Sequence, residues 1–322
     1  MDLSLILHNF LSPPILFYFL GIGAFLMRSD LEIPSTLGKL FSLYLLMAIG
    51  LKGGFALQHS SGGGEVFGTL GAAVLMASVT PFVAFFLLRR FLGVYNSAAL
   101  AATYGSISAV TFITAVAFLE KLSENYDGYM VAAMALMESP AIIVGVYLAS
   151  RYGRKSKTEK VEWKPLMQDA FLNGSVVLIL GSLLIGYVAD LEYEAALKPF
   201  TKDLFKGMLC FFLLDMGLAS ARRIKVLRKT AKIAVSFGIG FALFSGLLGL
   251  GVSYLLALSP GNALLFTLLC GSASYIAVPA AMRIAVPQAN ASLYVPMSLT
   301  ITFPFNITLG IPLYYYLIQL IW

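Results

Sequence analysis

Long apolar runs, separated by short polar clusters, fill this chain from end to end. A helical span needs about 20 mostly apolar residues. Ten stretches approach that length: 12–27, 37–57, 66–90, 96–120, 128–150, 168–189, 203–221, 230–257, 261–284 and 292–321. The first is short, and 230–257 and 292–321 are long enough to tilt or break. None alternates as a strand does, and backbone in lipid must satisfy its own hydrogen bonds, so helices are the expected form. Met1–Leu26 lacks a basic leader region and a small-residue cleavage site, and reads as a first span.

The polar positions between these runs orient them. Of 22 Lys and Arg residues, 17 fall in loops that follow odd-numbered spans; Lys52, Lys121, Lys198, Lys202 and Lys206 are the others. The positive-inside rule then puts both termini on the non-cytoplasmic side of the cell (inner) membrane. Composition agrees. Of 322 residues, 59% are hydrophobic and 12% charged, against about 25% charged in a soluble domain, and mean hydropathy is +0.86. Soluble enzymes, nucleic-acid modules and disordered tails are excluded, and the net charge of +6 belongs to cytoplasmic loops. Cys210 and Cys270 lie in apolar stretches, as small buried hydrophobes do, so no disulfide framework is expected.

Three landmarks recur in one order at nearly one offset. Gly50-Leu51 returns as Gly217-Leu218, 167 residues on; Tyr104–Ala109 returns as Cys270–Tyr275 at 166; Ser139-Pro140 aligns with Phe303-Pro304 at 164. Two five-span halves explain this: a first repeat over 1–151, a basic cytoplasmic linker over 152–167, and a second repeat over 168–322. Five is odd, so the second half enters the membrane from the opposite side. The predicted fold class is an all-α polytopic membrane protein of about ten transmembrane helices, arranged as two inverted five-helix repeats. Secondary transporters are often built this way.

The fourth and ninth spans carry G-S-x-S deep in apolar surroundings. Gly weakens a helix and Ser offers a competing local hydrogen bond, so both helices are expected to break at the midplane. Each break bares the N-terminus of a half-helix, worth roughly half a positive charge. Two such ends, with the hydroxyls of Ser106, Ser108, Ser272 and Ser274, suit a small monovalent oxyanion; the same small residues also serve close helix packing. In the fifth and tenth spans, Pro140 and Pro304 free backbone carbonyls. Those carbonyls, with Glu138, Thr302 and Asn306, are hard oxygen ligands for sodium or a proton. A carboxylate at the centre of a span costs about 2.5–3.5 kcal/mol on insertion scales, so Glu138 is expected to have a partner or a task. Lys52 and Asp215, beside the repeated glycines, read equally as a salt bridge, as cavity lining or as transport residues.

YGSISAVTF (104–112), MESPAIIVG (137–145), GSASYIAVPAAMRIAVPQAN (271–290) and TFPFNITLGIPLYY (302–315) resemble the SbtA-type sodium-dependent bicarbonate transporters, over essentially the whole chain. The resemblance implies a core domain moving against a gate domain, a homotrimer, sodium-coupled bicarbonate uptake and, in cyanobacterial members, a PII-like cytoplasmic regulator. It also implies a bicarbonate cradle at Gly105, Ser106, Ser108, Gly271, Ser272 and Ser274, and sodium near Glu138, Thr302 and Asn306. Cyanobacterial members carry Asp-x-Pro where this chain has Glu138-Ser139-Pro140.

Catalysis has little to work with. His8 and His59 are the chain's two histidines, both in predicted outer regions, so a membrane-depth serine nucleophile lacks a base. There is no HExxH and no nucleotide-binding G-x-x-x-x-G-K-[ST], and Asp215 lacks a second carboxylate of the aspartic-protease kind. The expected protein is a secondary transporter with no cofactor beyond its coupling ion. A small organic carboxylate as cargo, or a channel, are the competing readings. Cavity volume discriminates between the cargoes.

Overall fold

The computed structural model describes residues 7, 9–58, 63–153, 168, 172–190, 192–224, 227 and 231–322, and these contain helices and connections but no strand. The first half holds α1 (Pro13–Leu26), α2 (Ser35–Gln58), α3 (Gly63–Leu92), α4 (Val94–Gly105), α5 (Ala109–Lys121) and α6 (Tyr129–Tyr152). The second holds α7 (Gly174–Val188), α8 (Glu192–Lys198), α9 (Leu204–Ile224), α10 (Ala231–Leu255), α11 (Pro260–Gly271) and α12 (Ala277–Ala285). It ends with α13 (Ala291–Met297) and α14 (Ile311–Ile321).

Seven helical segments are long and apolar enough to cross a membrane: Ser35–Gln58, Gly63–Leu92, Val94–Lys121, Tyr129–Tyr152, Glu192–Ile224, Ala231–Leu255 and Ala291–Ile321. This is a polytopic helical membrane protein. The other three expected spans coincide with shorter apolar helices, Pro13–Leu26, Gly174–Val188 and Pro260–Gly271. Apart from residues 152 and 153, the expected basic linker lies outside the described residues, as do Lys225, Arg228, Lys229, His8 and His59.

Local chemistry sets the ends and irregularities. Asn173 caps α7 by accepting from the Ser175 and Val176 N–H groups, each at 3.0 Å. Asn290 caps α13 through the Ser292 N–H. Between α8 and α9 the chain makes a π turn over Pro199–Asp203, and the Leu204 N–H reaches back to Pro199 O. Proline has no N–H to continue the tighter ladder, so the register slips there. Two further π turns, Ser298–Thr302 and Asn306–Gly310, flank Phe303–Phe305 between α13 and α14. By contrast α6 runs unbroken through Pro140, which deprives only the Leu136 carbonyl of its helical donor.

Lipid gives helices no hydrophobic reason to associate, so close packing through small residues must hold them together. Helices α1, α2, α7 and α9 pack chiefly on one another, as the pairs α2 with α7 and α1 with α9. Glycines make both contacts possible. A Cβ at Gly54 would stand 2.6 Å from the Tyr187 nitrogen and 2.7 Å from the Gly186 carbonyl carbon. One at Gly217 would run into the Tyr18 carbonyl and lie 3.2 Å from Gly21 Cα. The remaining long helices form the second group, with α3 against α4 and α6, and α10 against α11. Around the outside, large apolar side chains such as Leu75, Val79, Leu247 and Leu255 are exposed, as a lipid-facing surface requires.

Replacing Gly54 by Val is expected to cost about 1–3 kcal/mol, the usual range for overpacking. Gly181→Val, on the open side of α7 with nothing within 4 Å of the new carbon, is expected to be neutral. Thermal unfolding in detergent checks both; equal melting temperatures for the two variants would contradict the packing described.

Candidate functional site

The two G-S-x-S segments are where two helices stop and restart. Helix α4 ends at Gly105, Ser106 is extended, and Ser108 is the N-cap of α5. Helix α11 ends at Gly271, Ser272 is extended, and α12 begins at Ala277. The second serine of each break serves the next helix: Ser108, its N-cap, accepts at Oγ from the Thr111 N–H, and Ser274, two residues before the N-cap Ile276, accepts from the Val278 N–H, both at 3.2 Å. A capping hydroxyl spends a lone pair and keeps its own proton to donate.

The breaks also bind each other. The Ser108 N–H donates to Ser272 Oγ at 2.9 Å, and the Ser274 N–H donates to the Thr103 carbonyl at 2.9 Å. Ser272 Oγ donates in turn to the Leu269 carbonyl at 3.2 Å. The glycines permit the approach: a Cβ at Gly105 would be 2.6 Å from Pro81 Cδ of α3, and one at Gly271 3.0 Å from the Ala242 carbonyl of α10.

A cavity of about 40 Å³ lies beside the breaks. Ser108, Ser274 and Glu138 face it together with Ser42 of α2, Ser175 of α7 and Tyr275, among apolar side chains such as Ile113, Ile179 and Phe212. Among the described residues its lining contains no Lys, Arg or His. Glu138 is 4% exposed and has neither hydrogen-bond nor ion-pair partner among the described residues, so nothing there answers its charge when it is ionised.

The other expected site residues lie outside this lining. Ser272 joins the two breaks, and the buried Ser106 Oγ has no hydrogen-bond partner among the described residues. Thr302 Oγ1 donates to the Gly238 carbonyl at 2.9 Å and is 2.8 Å from the Tyr104 hydroxyl, so the tyrosine must be the donor there. Asn306 gives its N–H to the Gly271 carbonyl at 3.0 Å and leaves Oδ1 buried without a donor. Of the three residues expected near sodium, Glu138 and Asn306 therefore keep free oxygen lone pairs, while Thr302 is engaged. Among the described residues no three His, Cys, Asp or Glu side chains gather as a metal cluster; sodium needs none, since carbonyl and hydroxyl oxygens suffice.

Lys52 and Asp215 do not meet. The Lys52 ammonium pairs with the Glu120 carboxylate and lies 5.1 Å over the Phe205 ring, whereas Asp215 sits against Gly38. The Lys52–Glu120 pair faces a second, polar cavity of about 1170 Å³. There the Tyr126 phenol is pushed above its usual value, by burial first and then by the Glu120 charge. Three cavity residues escaped the sequence reading. Ser42 and Ser175 are single hydroxyls in apolar runs and carry no motif; Tyr275 sits inside one that was recognised.

Residues 13–319 of the chain match the Na+-dependent bicarbonate transporter superfamily. No curated protein matches the chain.

Removing Ser272 Oγ strands the buried Ser108 N–H, a loss of about 1–3 kcal/mol. Ser272→Ala is therefore expected to unfold at clearly lower temperature than the parent, and Ser106→Ala, which breaks no bond, at about the same temperature. Thermal unfolding with the reverse order would contradict this division of roles.

Proposed function

The chain belongs to the Na+-dependent bicarbonate transporter superfamily, a family of transporters and not of enzymes, and from that premise we propose that it takes up bicarbonate by sodium symport with alternating access. The observation that carries this is the small cavity between the helix breaks. It offers hydroxyl donors from Ser108 and Ser274, two half-helix N-termini and one carboxylate, with no cationic side chain among the described residues.

Charge decides the coupling. Bicarbonate beside an ionised Glu138 makes two negative charges. The two N-termini offset about one of them. One sodium ion, held by Glu138 with freed backbone carbonyls, offsets the other. Anion and cation then bind well only together, which is what symport requires. At one-to-one coupling a tenfold sodium gradient stores about 1.4 kcal/mol, enough for roughly tenfold accumulation, and no net charge moves.

Volume favours the smaller cargo. A water needs roughly 10–15 Å³ on the measure that gives this cavity about 40 Å³, and pockets for larger organic ligands run to roughly 300–1,000 Å³. Bicarbonate fits that scale better than an organic carboxylate of several carbons does.

The packing supports an inverted repeat of ten spans. Taking the seven long segments with the three short apolar helices gives ten. The repeat relates α2 to α9 and α7 to α1, so its symmetry turns the α2–α7 contact into the α9–α1 contact, and both are glycine-mediated. The crossing of the fourth and ninth spans maps onto itself. The gate domain would be α1, α2, α7 and α9, and the core domain the rest. A homotrimer and a PII-like regulator belong to the same reading and rest on the resemblance.

Uptake of radiolabelled bicarbonate into proteoliposomes free of carbonic anhydrase tests the proposal. An inward sodium gradient is expected to drive uptake, an imposed membrane potential to leave it unchanged, and Ser108→Ala with Ser274→Ala to lower it at least about tenfold. Glu138→Gln removes one of the two negative charges, so its residual uptake is expected to lose sodium stimulation. Uptake indifferent to sodium in the parent would overturn symport.

A further inference from the structure

We propose that Lys52 and Glu120 form a reversible latch that closes the outer access route, on the side of the molecule away from the small cavity. The inference rests on the alternating-access reading above.

Position comes first. Ser42 and Lys52 are both on α2, ten residues apart, and Ser108 and Glu120 are at opposite ends of α5. At 1.5 Å per residue the ion pair is roughly 15–18 Å along these helices from the serines that face the small cavity. Helix α2 belongs to the group built on α7 and α9, and α5 packs mainly on α11; α2 and α5 otherwise touch little. The pair is thus a polar tie across a sparse boundary between the two groups. It pulls on the helix whose N-cap is Ser108.

The larger cavity gives the tie its setting. Four of the five basic residues that stand apart from the cytoplasmic set, Lys52, Lys198, Lys202 and Lys206, line it. By the positive-inside argument it opens to the outer side. Two chain segments of opposite sign meet there. The 194–206 stretch brings Lys198, Lys202 and Lys206 against Glu194 and Asp203, whereas 120–127 brings Glu120, Glu124 and Asp127. Asp127 accepts from the Asn262 amide and Glu124 from the Tyr315 hydroxyl, so these two carboxylates stay anchored to the core. Lys52 and Glu120 are an ionic pair already closed between the groups.

Their chemistry suits a latch more than a fixed strut. Glu120 lies in the last turn of α5, where the helix end is itself negative, so it needs a cation while the route is shut. The side chains are 9% and 25% exposed, shielded enough to hold and close enough to water to be rehydrated when the helices part. With Ser42 and Ser175 facing the small cavity and the tie closed, the structure has the form of an inward-facing state.

A cysteine at Ile49, buried between the two cavities, reports on the latch. In right-side-out vesicles, with Cys210 and Cys270 replaced by Ala, its labelling by an impermeant thiol reagent from outside measures opening. Lys52→Gln and Glu120→Gln are each expected to speed labelling about tenfold, a typical coupling strength. The exchanged pair Lys52→Glu with Glu120→Lys is expected to return it to the parent rate, as is the control Lys198→Gln. Parent-like labelling in both single variants, or fast labelling that the exchange does not slow, would overturn the latch. The assay needs no substrate: latch-dependent labelling without bicarbonate flux would reject the cargo and keep the latch, and flux without latch-dependent labelling would do the reverse.

Discussion

Everything in this molecule depends on how it satisfies backbone polar groups where two helices are interrupted inside an apolar protein. An orphaned N–H in such surroundings costs several kcal/mol. The two interruptions answer that cost for each other, the Ser108 N–H bonding Ser272 Oγ and the Ser274 N–H bonding the Thr103 carbonyl. Serines at the second position then accept from first-turn N–H groups of the helices that restart there. Once the joint is closed, the remaining donors at the half-helix ends have one place to act, the small cavity beside them. Breaking the helices and forming the candidate site are therefore one structural event.

That joint needs rigid neighbours on both sides. Gly105 lets α4 lie against Pro81, and Gly271 lets α11 lie against α10. Across the boundary, α2 and α7 supply Ser42 and Ser175 to the cavity, and they can do so because Gly54 and Gly186 bring those two helices into backbone contact. Small residues thus fix the geometry while carrying no chemistry. The chemistry itself is sparse: hydroxyls, helix ends and one carboxylate. A site with no fixed cation among the described residues must borrow its positive charge from an ion, and that is the physical root of sodium coupling in this account.

Much of this was legible in the sequence where a residue type has a strong local effect. Gly-Ser pairs inside apolar runs marked the interruptions, and a carboxylate in MESP marked a cavity residue, because both are costly in lipid unless used. Serines at equal spacing were not separable by sequence: Ser108 and Ser274 face the cavity, Ser272 joins the two breaks and Ser106 has no partner among the described residues, and only the crossing of the two segments decides which is which. Ser42 and Ser175 were invisible because a lone hydroxyl in a span has no pattern. The partner of Lys52 lies 68 residues away, beyond the reach of any local rule. The π turns around Phe303–Phe305 show that Pro304 relaxes the ladder over a wider stretch than the one freed carbonyl its chemistry implies.

The central claim is that anion and sodium share one site and bind as a pair. Sodium flux driven by bicarbonate tests it most directly. Proteoliposomes with equal sodium and equal pH on both sides receive an inward bicarbonate gradient, and entry of radiolabelled sodium is followed. The account predicts transient sodium accumulation, about one ion per bicarbonate and lost in Ser274→Ala, because a gradient of either partner must drive the other. Bicarbonate entry with no sodium accumulation would contradict it.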